Sequence, residues 1–384
     1  MADSRRMPAV LTLVDSLASV PAEAWDALHD GTNPFVAHAF LFGLETTGCL
    51  PPRYGWAPRH ALLHDGPRLI AAAPAWRKDN SRGEYVFDFA WAAACEEAGI
   101  AYYPKWLVGV PWSPVPGPRL MARDEPARQA LAQALAAHTR AAGWSSLHVN
   151  FLPESETYVF DPRWLARHEL QFHWENPGWR DFADYLAAMT SRRRKAIRQE
   201  RTKVAQAGYR FRIAHGDEAS DEDLAAMHDF YRITFAQKGN VAVLTRGFFA
   251  HLARTMPRAL VLVLAEREGR TVAGALCLRG GDTLYGRYWG SVEDSPGLHF
   301  ETCYYQGIEY CLREGLRRFE PGAQGEHKLA RGFLPVLTHS RHLVTNPHLD
   351  AALRPWCAQE REGVRRYRDL LLEHSPFRHA PAAS

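Results

Sequence analysis

LVLVLAEREGRTVAGALCL, Leu260 to Leu278, is two apolar runs on either side of Glu268-Gly269. Branched aliphatic residues in runs of this length, broken by a glycine turn, predict a β-hairpin. Upstream, Asp221 to Gln237 and Gly247 to Thr255 repeat apolar residues at helical spacing. Downstream lie a strand at LYGRYWG (Leu284 to Gly290), a helix at ETCYYQGIEYCLREG (Glu301 to Gly315) and a last strand in LRRFEPG. The same plan occurs earlier in the chain. HALLHDGPRLIAAAPAW (His60 to Trp76) turns at Asp65-Gly66, after a helical pattern at Phe35 to Thr47. It precedes the helical PARQALAQALAAHTRAAG (Pro126 to Gly143) and the strand SSLHVNF.

Helix, hairpin, strand, helix, strand, repeated once, predicts two α/β units of similar plan, each with a mixed sheet flanked by helices. Domains are expected at 1–160 and 161–384, with the join between Phe151 and Asn176. The second would contain a basic helix over 191–207 and a loop over 319–335. A duplicated fold also predicts a ligand cleft between its halves.

The 384 residues are 46% apolar and 11% aromatic, enough to fill two cores and too apolar for a disordered chain. The longest apolar run, Ala259 to Ala265, is too short to cross a bilayer. Arg5 and Arg6 before PAVLTLV resemble the start of a secretory signal, but Asp15 interrupts it, so a cytoplasmic protein is expected. Six scattered cysteines without C-x-x-C fit buried thiols in a reducing compartment. Net charge is only +3, so any anion site must come from local clustering.

One such cluster opens TSRRRKAIRQERTKVAQAG, Thr190 to Gly208. Ala196, Ile197, Val204 and Ala205 form a narrow apolar stripe; Thr190 or Ser191 can cap the start, and Gly208 can end it. Arg192, Arg193, Arg194 and Lys195 then occupy the first turn, where the helix dipole already disfavours cations. Free N–H groups and guanidinium groups there suit a donor's phosphates. The plain alternative is a solvated basic face with Glu200 as partial counter-ion.

A second cluster is FEPGAQGEHKLARGF, Phe319 to Phe333. Gly322, Gly325 and Gly332 allow main-chain N–H groups to approach a ligand. Lys328 and Arg331 can neutralise an anion or a developing oxyanion. His327 is the natural proton acceptor, and Glu326 can orient it or replace it. The alternative is a tight surface turn whose charges pair with one another. On LYGRYWG, simple alternation puts Tyr285 and Arg287 on one face, opposite Tyr288. His148 and His173 end strands as core histidines. No G-x-S-x-G, H-E-x-x-H, Walker or Rossmann motif is present, and His339 and His342 alone do not make a metal site.

PGAQGEHKLARGFLP resembles the FemAB-like subfamily of predicted N-acyltransferases, relatives of the GNAT acetyltransferases. Further matching stretches run from NPFVAHAFLFGLE (Asn33 to Glu45) through YYPK, VPWSPVPGPRL, QFHWEN and SRRRKAIRQER to LHFETCYYQGIEY. The resemblance implies two tandem GNAT-like domains and transfer of an acyl or aminoacyl group to an amine. The residues read above give the expected catalytic set, Lys328, His327, Glu326 and Arg331, with donor phosphates on Arg192 to Lys195. Tyr285, Arg287, Tyr288, Glu301, Tyr103 and Lys105 would line the substrate pocket. No tightly bound cofactor or metal is implied. The donor would be aminoacyl-tRNA or acyl-coenzyme A. The R/Q-x-x-G-x-G/A turn with which GNAT enzymes hold coenzyme A has no good match near Glu301, which favours aminoacyl-tRNA. Two alternatives remain: an acyl-coenzyme A-dependent acetyltransferase, and a non-catalytic binder of RNA or a cell-envelope precursor.

Overall fold

The structure is a computed structural model describing residues 9–322 and 325–378; Arg5 and Arg6 lie outside the described residues. The chain forms two compact units.

The first unit holds two sheets. One has the order β1 (Val10–Val14), β3 (His60–Asp65), β4 (Arg68–Ala73), β7 (Met121–Ala122). The other runs through β2 (Trp56–Pro58), β5 (Ala75–Lys78), β6 (Lys105–Val108) and β8 (Ser146–Leu152), with β6 parallel to β8. Helices α1 (Ala22–Asp26), α2 (His38–Thr46), α3 (Phe89–Glu97) and α4 (Glu125–Ala141) complete it. The carboxylate of Asp124 caps α4 by accepting from the Ala127 N–H. Leu131 and Leu135 then recur one turn apart and pack with Leu63, Trp106 and Leu147.

The second unit begins within β9 (Leu165–Glu175), followed by α5 (Phe182–Ala188), α6 (Ser191–Gln206) and β10 (Arg210–His215). Next come α7 (Asp221–Gln237), α8 (Arg246–Thr255), β11 (Leu260–Arg267), β12 (Arg270–Gly280) and β13 (Thr283–Ser291). Then α9 (Leu298–Phe300), a π-turn at Glu301–Tyr305, α10 (Gln306–Arg313) and β14 (Arg318–Glu320) lead to a 3-10 turn at Glu326–Arg331. The sheet order is β10-β11-β12-β13-β14-β9. Its β11–β12 hairpin turns at Glu268 and Gly269, both with positive φ, the geometry that matches strand twist. Helix α7 starts with a Ser220–Asp223 capping box and lies so close to β13 that a Cβ on Gly290 would stand 1.9 Å from the Phe230 carbonyl oxygen.

The strand-helix-strand part of the repeat is present in both units, while the first unit's hairpin β3–β4 lies in a separate sheet. β6-α4-β8 and β13-α10-β14 are each strand, helix, parallel strand. The units are interleaved along the chain, unlike the linear division expected at residue 160. Thr338–Arg365 belongs to the first unit and the residues from Arg366 to the second. The reason is β15 (Leu334–Val344), which leaves the second unit and pairs His339–Val344 with β8. The last helix, α11 (Pro347–Glu373), follows it. No helix among the described residues is long and apolar enough to cross a membrane.

Candidate active site

In the second unit β13 and β14 pair for only three residues, ending at Tyr285 and Glu320. Just beyond, β13 carries a bulge opposite Leu276/Cys277, where the register passes from Gly286 to Tyr288 across Arg287. Tyr285 faces Leu278 and Tyr288 faces Leu276. The two tyrosines therefore share a face, reversing the expected alternation, because one extra residue resets strand parity. Tyr288 packs on Tyr231 of α7 at 4.8 Å between ring centroids, and the Arg287 guanidinium lies over its ring.

The chain turns past Gly322 into the 3-10 turn, with Ala323 and Gln324 outside the described residues. Lys328 comes back toward the strand end: its Nζ donates to the Gly322 carbonyl at 2.8 Å, and the side chain is 2% exposed. Arg331 is buried as well, and three of its nitrogens are occupied. Nε donates to the Tyr305 hydroxyl at 3.0 Å, Nη1 to the His327 carbonyl at 2.9 Å, and Nη2 to Glu200 at 2.7 Å. The guanidinium also lies 3.4 Å from the Phe300 ring centroid. Tyr305 donates to the other Glu200 oxygen.

His327 is exposed, with Nε2 at 2.9 Å from the Tyr304 hydroxyl. Glu326 does not orient it; that carboxylate accepts from the Tyr367 hydroxyl of α11. Glu326 points outward because the 3-10 turn directs Lys328, Leu329 and Arg331 into the core.

Several ionisable groups share this buried strand end. Burial pulls Lys328 down to about 7, and nearby Arg287 adds to the effect. Burial raises Glu320 to about 8 despite Arg318 and Arg287. One Glu320 oxygen, Oε2, has no hydrogen-bond partner. The His173 ring stands 3.8 Å from the other, and burial lowers its pKa to about 3. His327 is lowered by burial and by the charges of Lys328 and Arg331. At neutral pH the site thus holds a neutral imidazole, a protonated carboxyl and a lysine near its midpoint.

The basic helix is joined to this loop through Glu200. Ile197 and Val204 of its apolar stripe are buried, and Gly208 ends it with positive φ. Thr190 stands at the N-cap without a side-chain cap; its N–H donates to Pro376. Arg192 and Lys195 are exposed; Arg193 and Arg194 are half-buried beside the Ile197 side of the helix. Glu301 is committed to this helix: Arg201 grips it at 2.9 Å and Glu309 at 2.7 Å. Successive residues of α6, Glu200 and Arg201, thereby clamp the π-turn from two sides. Such one-turn π segments gather at functional sites. Glu200 was legible only as a possible counter-ion, and Glu320 gave one signal, an acid at the end of a short strand just before Pro321 and Gly322.

Tyr103 and Lys105, expected with the pocket residues, belong to the first unit. Lys105 is fully buried and donates to Ser81 at 2.9 Å, Glu84 at 2.8 Å and Asp88; Tyr103 bonds Ser81 at 2.7 Å. Burial opposes its charge, yet the two carboxylates outweigh that and raise its pKa. No group of three or more His, Cys, Asp or Glu able to hold a metal occurs among the described residues.

A mixed sheet with a short parallel pair, repeated in two units, is the duplicated α/β plan expected from the sequence. The chain belongs to the FemAB-like family, described as peptidoglycan biosynthesis/recognition, whose model matches residues 16–379. Membership makes it an acyltransferase. Among solved structures, FemX is 10% identical, with a TM-score of 0.53 over 90% of this chain and 100% of its own. A conserved protein of unknown function from Bacteroides thetaiotaomicron VPI-5482 is 11% identical, with a TM-score of 0.53 over 88% and 100%. A tandem GNAT protein from the clavulanic acid biosynthesis pathway is 13% identical, with a TM-score of 0.42 over 88% and 99%. At these identities the likeness is one of fold. No curated protein sequence matches the chain.

Proposed function

We propose that the chain moves an aminoacyl group from aminoacyl-tRNA to an amine of a cell-envelope precursor, with Lys328 at the reacting centre. The observation that carries this reading is the buried Lys328 side chain, with the exposed imidazole of His327 next to it in sequence. The amine nitrogen bonds to the ester carbon and the carbonyl pair moves onto oxygen. The oxyanion collapses, the bond to the donor's ribose oxygen breaks, and that oxygen leaves with its pair and is protonated by water. His327, neutral by its lowered pKa, takes the proton the amine sheds. Lys328, in its ammonium form, stabilises the oxyanion in a dry setting where charge counts most. Arg331 keeps the loop in place, its donors being engaged. Glu326 ties the loop to α11 and takes no proton. Arg192 to Lys195, which have no carboxylate partner among the described residues, receive donor phosphates. A tRNA donor sets the reaction in the cytoplasm.

Acyl-coenzyme A is the second reading, and the segment before α9 speaks against it. Val292–Gly297 carries Glu293 and Asp294 where GNAT enzymes place their pyrophosphate turn, and Glu293 accepts from Tyr209 and Arg267. Acids there repel a pyrophosphate. Incubating the protein and Lys328→Met with labelled aminoacyl-tRNA or acetyl-coenzyme A, plus an amine, separates the readings. Label on the amine from tRNA alone supports the first; label from coenzyme A alone supports the second.

A further inference from the structure

Beside the clamp, on the Arg201 side of α6, is an open groove of about 500 Å³. That size suits a small-molecule site. Phe182 of α5 and Tyr209 and Phe211 around the start of β10 line it, as do Arg198, Thr202 and Gln306. Phe182 and Phe211 are half-buried and leave ring surface for a flat ring, while Tyr209 is buried and backs the hollow. Arg201, which also lines the groove, is spent: it lies 4.4 Å over the Phe182 ring and is tied to Glu301 and Glu309.

Arg198 is different. It is exposed at the wall of the groove and has no hydrogen-bond or ion-pair partner among the described residues. Helical spacing puts Arg194, Arg198, Thr202 and Ala205 on one stripe, so Arg194 extends the wall by one turn, about 6 Å. A groove with aromatic walls and two successive arginines along one edge fits a nucleobase with phosphate attached.

We propose that this groove binds the nucleotide end of the acyl donor, its base against Phe182 and Phe211 and its phosphate on Arg198 and Arg194. Adenosine with adjoining phosphate ends both a tRNA and coenzyme A, so the chemistry is shared by the two donors. The inference rests on the acyl-transfer reading for the identity of the ligand, and on the groove alone for its place.

Titration calorimetry on the full chain tests it with two probes, cytidylyl-3′,5′-adenosine and adenosine 3′,5′-bisphosphate. Arg198→Glu reverses the wall charge, and Thr202→Trp fills the groove from an exposed helix position. At least one probe binds the wild-type protein, and each variant weakens it tenfold or more with unchanged circular dichroism. Tighter binding of the dinucleotide marks the tRNA source; tighter binding of the bisphosphate marks coenzyme A. Equal affinity in wild type and both variants, or no wild-type binding at about 1 mM of either probe, overturns the proposal. Groove-dependent binding without transfer from either donor supports the groove while removing the transfer reading. Transfer with an unchanged donor KM in both variants removes the groove alone.

Discussion

Nη2 of Arg331 lies 2.7 Å from Oε1 of Glu200, and this ion pair joins the Lys328 loop to the basic helix. Arg331 is 8% exposed and Glu200 30%, so water screens the pair only in part. Arg331→Met leaves Glu200 and the Tyr305 hydroxyl without their cation. The expected cost is roughly 2 kcal/mol, below the range for a fully enclosed pair. Thermal denaturation should show it, with faster hydrogen exchange in Gly325–Gly332; an unchanged melting temperature contradicts the latch.

Much of this architecture could be read in the sequence, and the failures have local causes. Helices α4 and α7 were legible because apolar period and caps agree over a dozen residues, α6 by its apolar stripe and Gly208, and the hairpins by their glycine turns. The bulge at Arg287 was not, since an extra residue in a strand leaves the hydrophobic pattern intact while resetting parity. The site residues Lys328 and Arg331 were visible as charges among glycines. The commitment of Arg331 to an ion pair, which sets it apart from Lys328, was invisible, because it depends on Glu200, 131 residues away from Arg331. The interleaved units were missed for the same reason: pairing of β8 with β15, between residues 187 to 198 apart, leaves no mark in composition.

Lys328 and Glu320 make opposite contributions to stability with pH. The Lys328 pKa falls from 10.5 to about 7 on folding, so the folded chain binds fewer protons than the unfolded one between those values. Stability from this group rises with pH across that window, and the penalty is complete below 7. Lys328→Met should therefore stabilise the protein at pH 6, by up to roughly 5 kcal/mol less the loss of the Gly322 hydrogen bond. Glu320 rises from 4.5 to about 8, so its penalty grows from pH 4.5 to 8 and is complete above. Glu320→Gln should stabilise chiefly at pH 8. Denaturant melts at pH 6 and 8 check both; destabilisation by Lys328→Met at pH 6 contradicts the first.

The pH profile of kcat/KM should be a bell. Its acid limb reports His327, below the ordinary 6.5, and its alkaline limb reports loss of the Lys328 ammonium near 7. His327→Gln should remove the acid limb and lower the rate by about 100-fold. A rate that keeps climbing past pH 8 excludes the ammonium role.

Glu326→Gln should keep most of the activity, since the carboxylate holds Tyr367. Tyr367→Phe should change stability by less than about 1 kcal/mol, as exposed contacts do. Loss of turnover beyond 100-fold in Glu326→Gln would return that residue to the list of proton acceptors.

Lys105→Met should destabilise the first unit by about 3 kcal/mol or more, because Glu84 and Asp88 lose the cation that compensates them. Tyr103→Phe, which removes one hydroxyl bond to Ser81, should leave donor KM unchanged. A selective rise in KM for Tyr103→Phe, without loss of stability, contradicts a structural role.

The most direct measurement is single-turnover transfer of a labelled aminoacyl group from tRNA to hydroxylamine, comparing wild type with Lys328→Met. The wild type should label the amine, and the variant should be slower by 100-fold or more while its circular dichroism and melting remain those of a folded protein. Equal rates in the two proteins would remove the lysine, and the loop with it, from the chemistry.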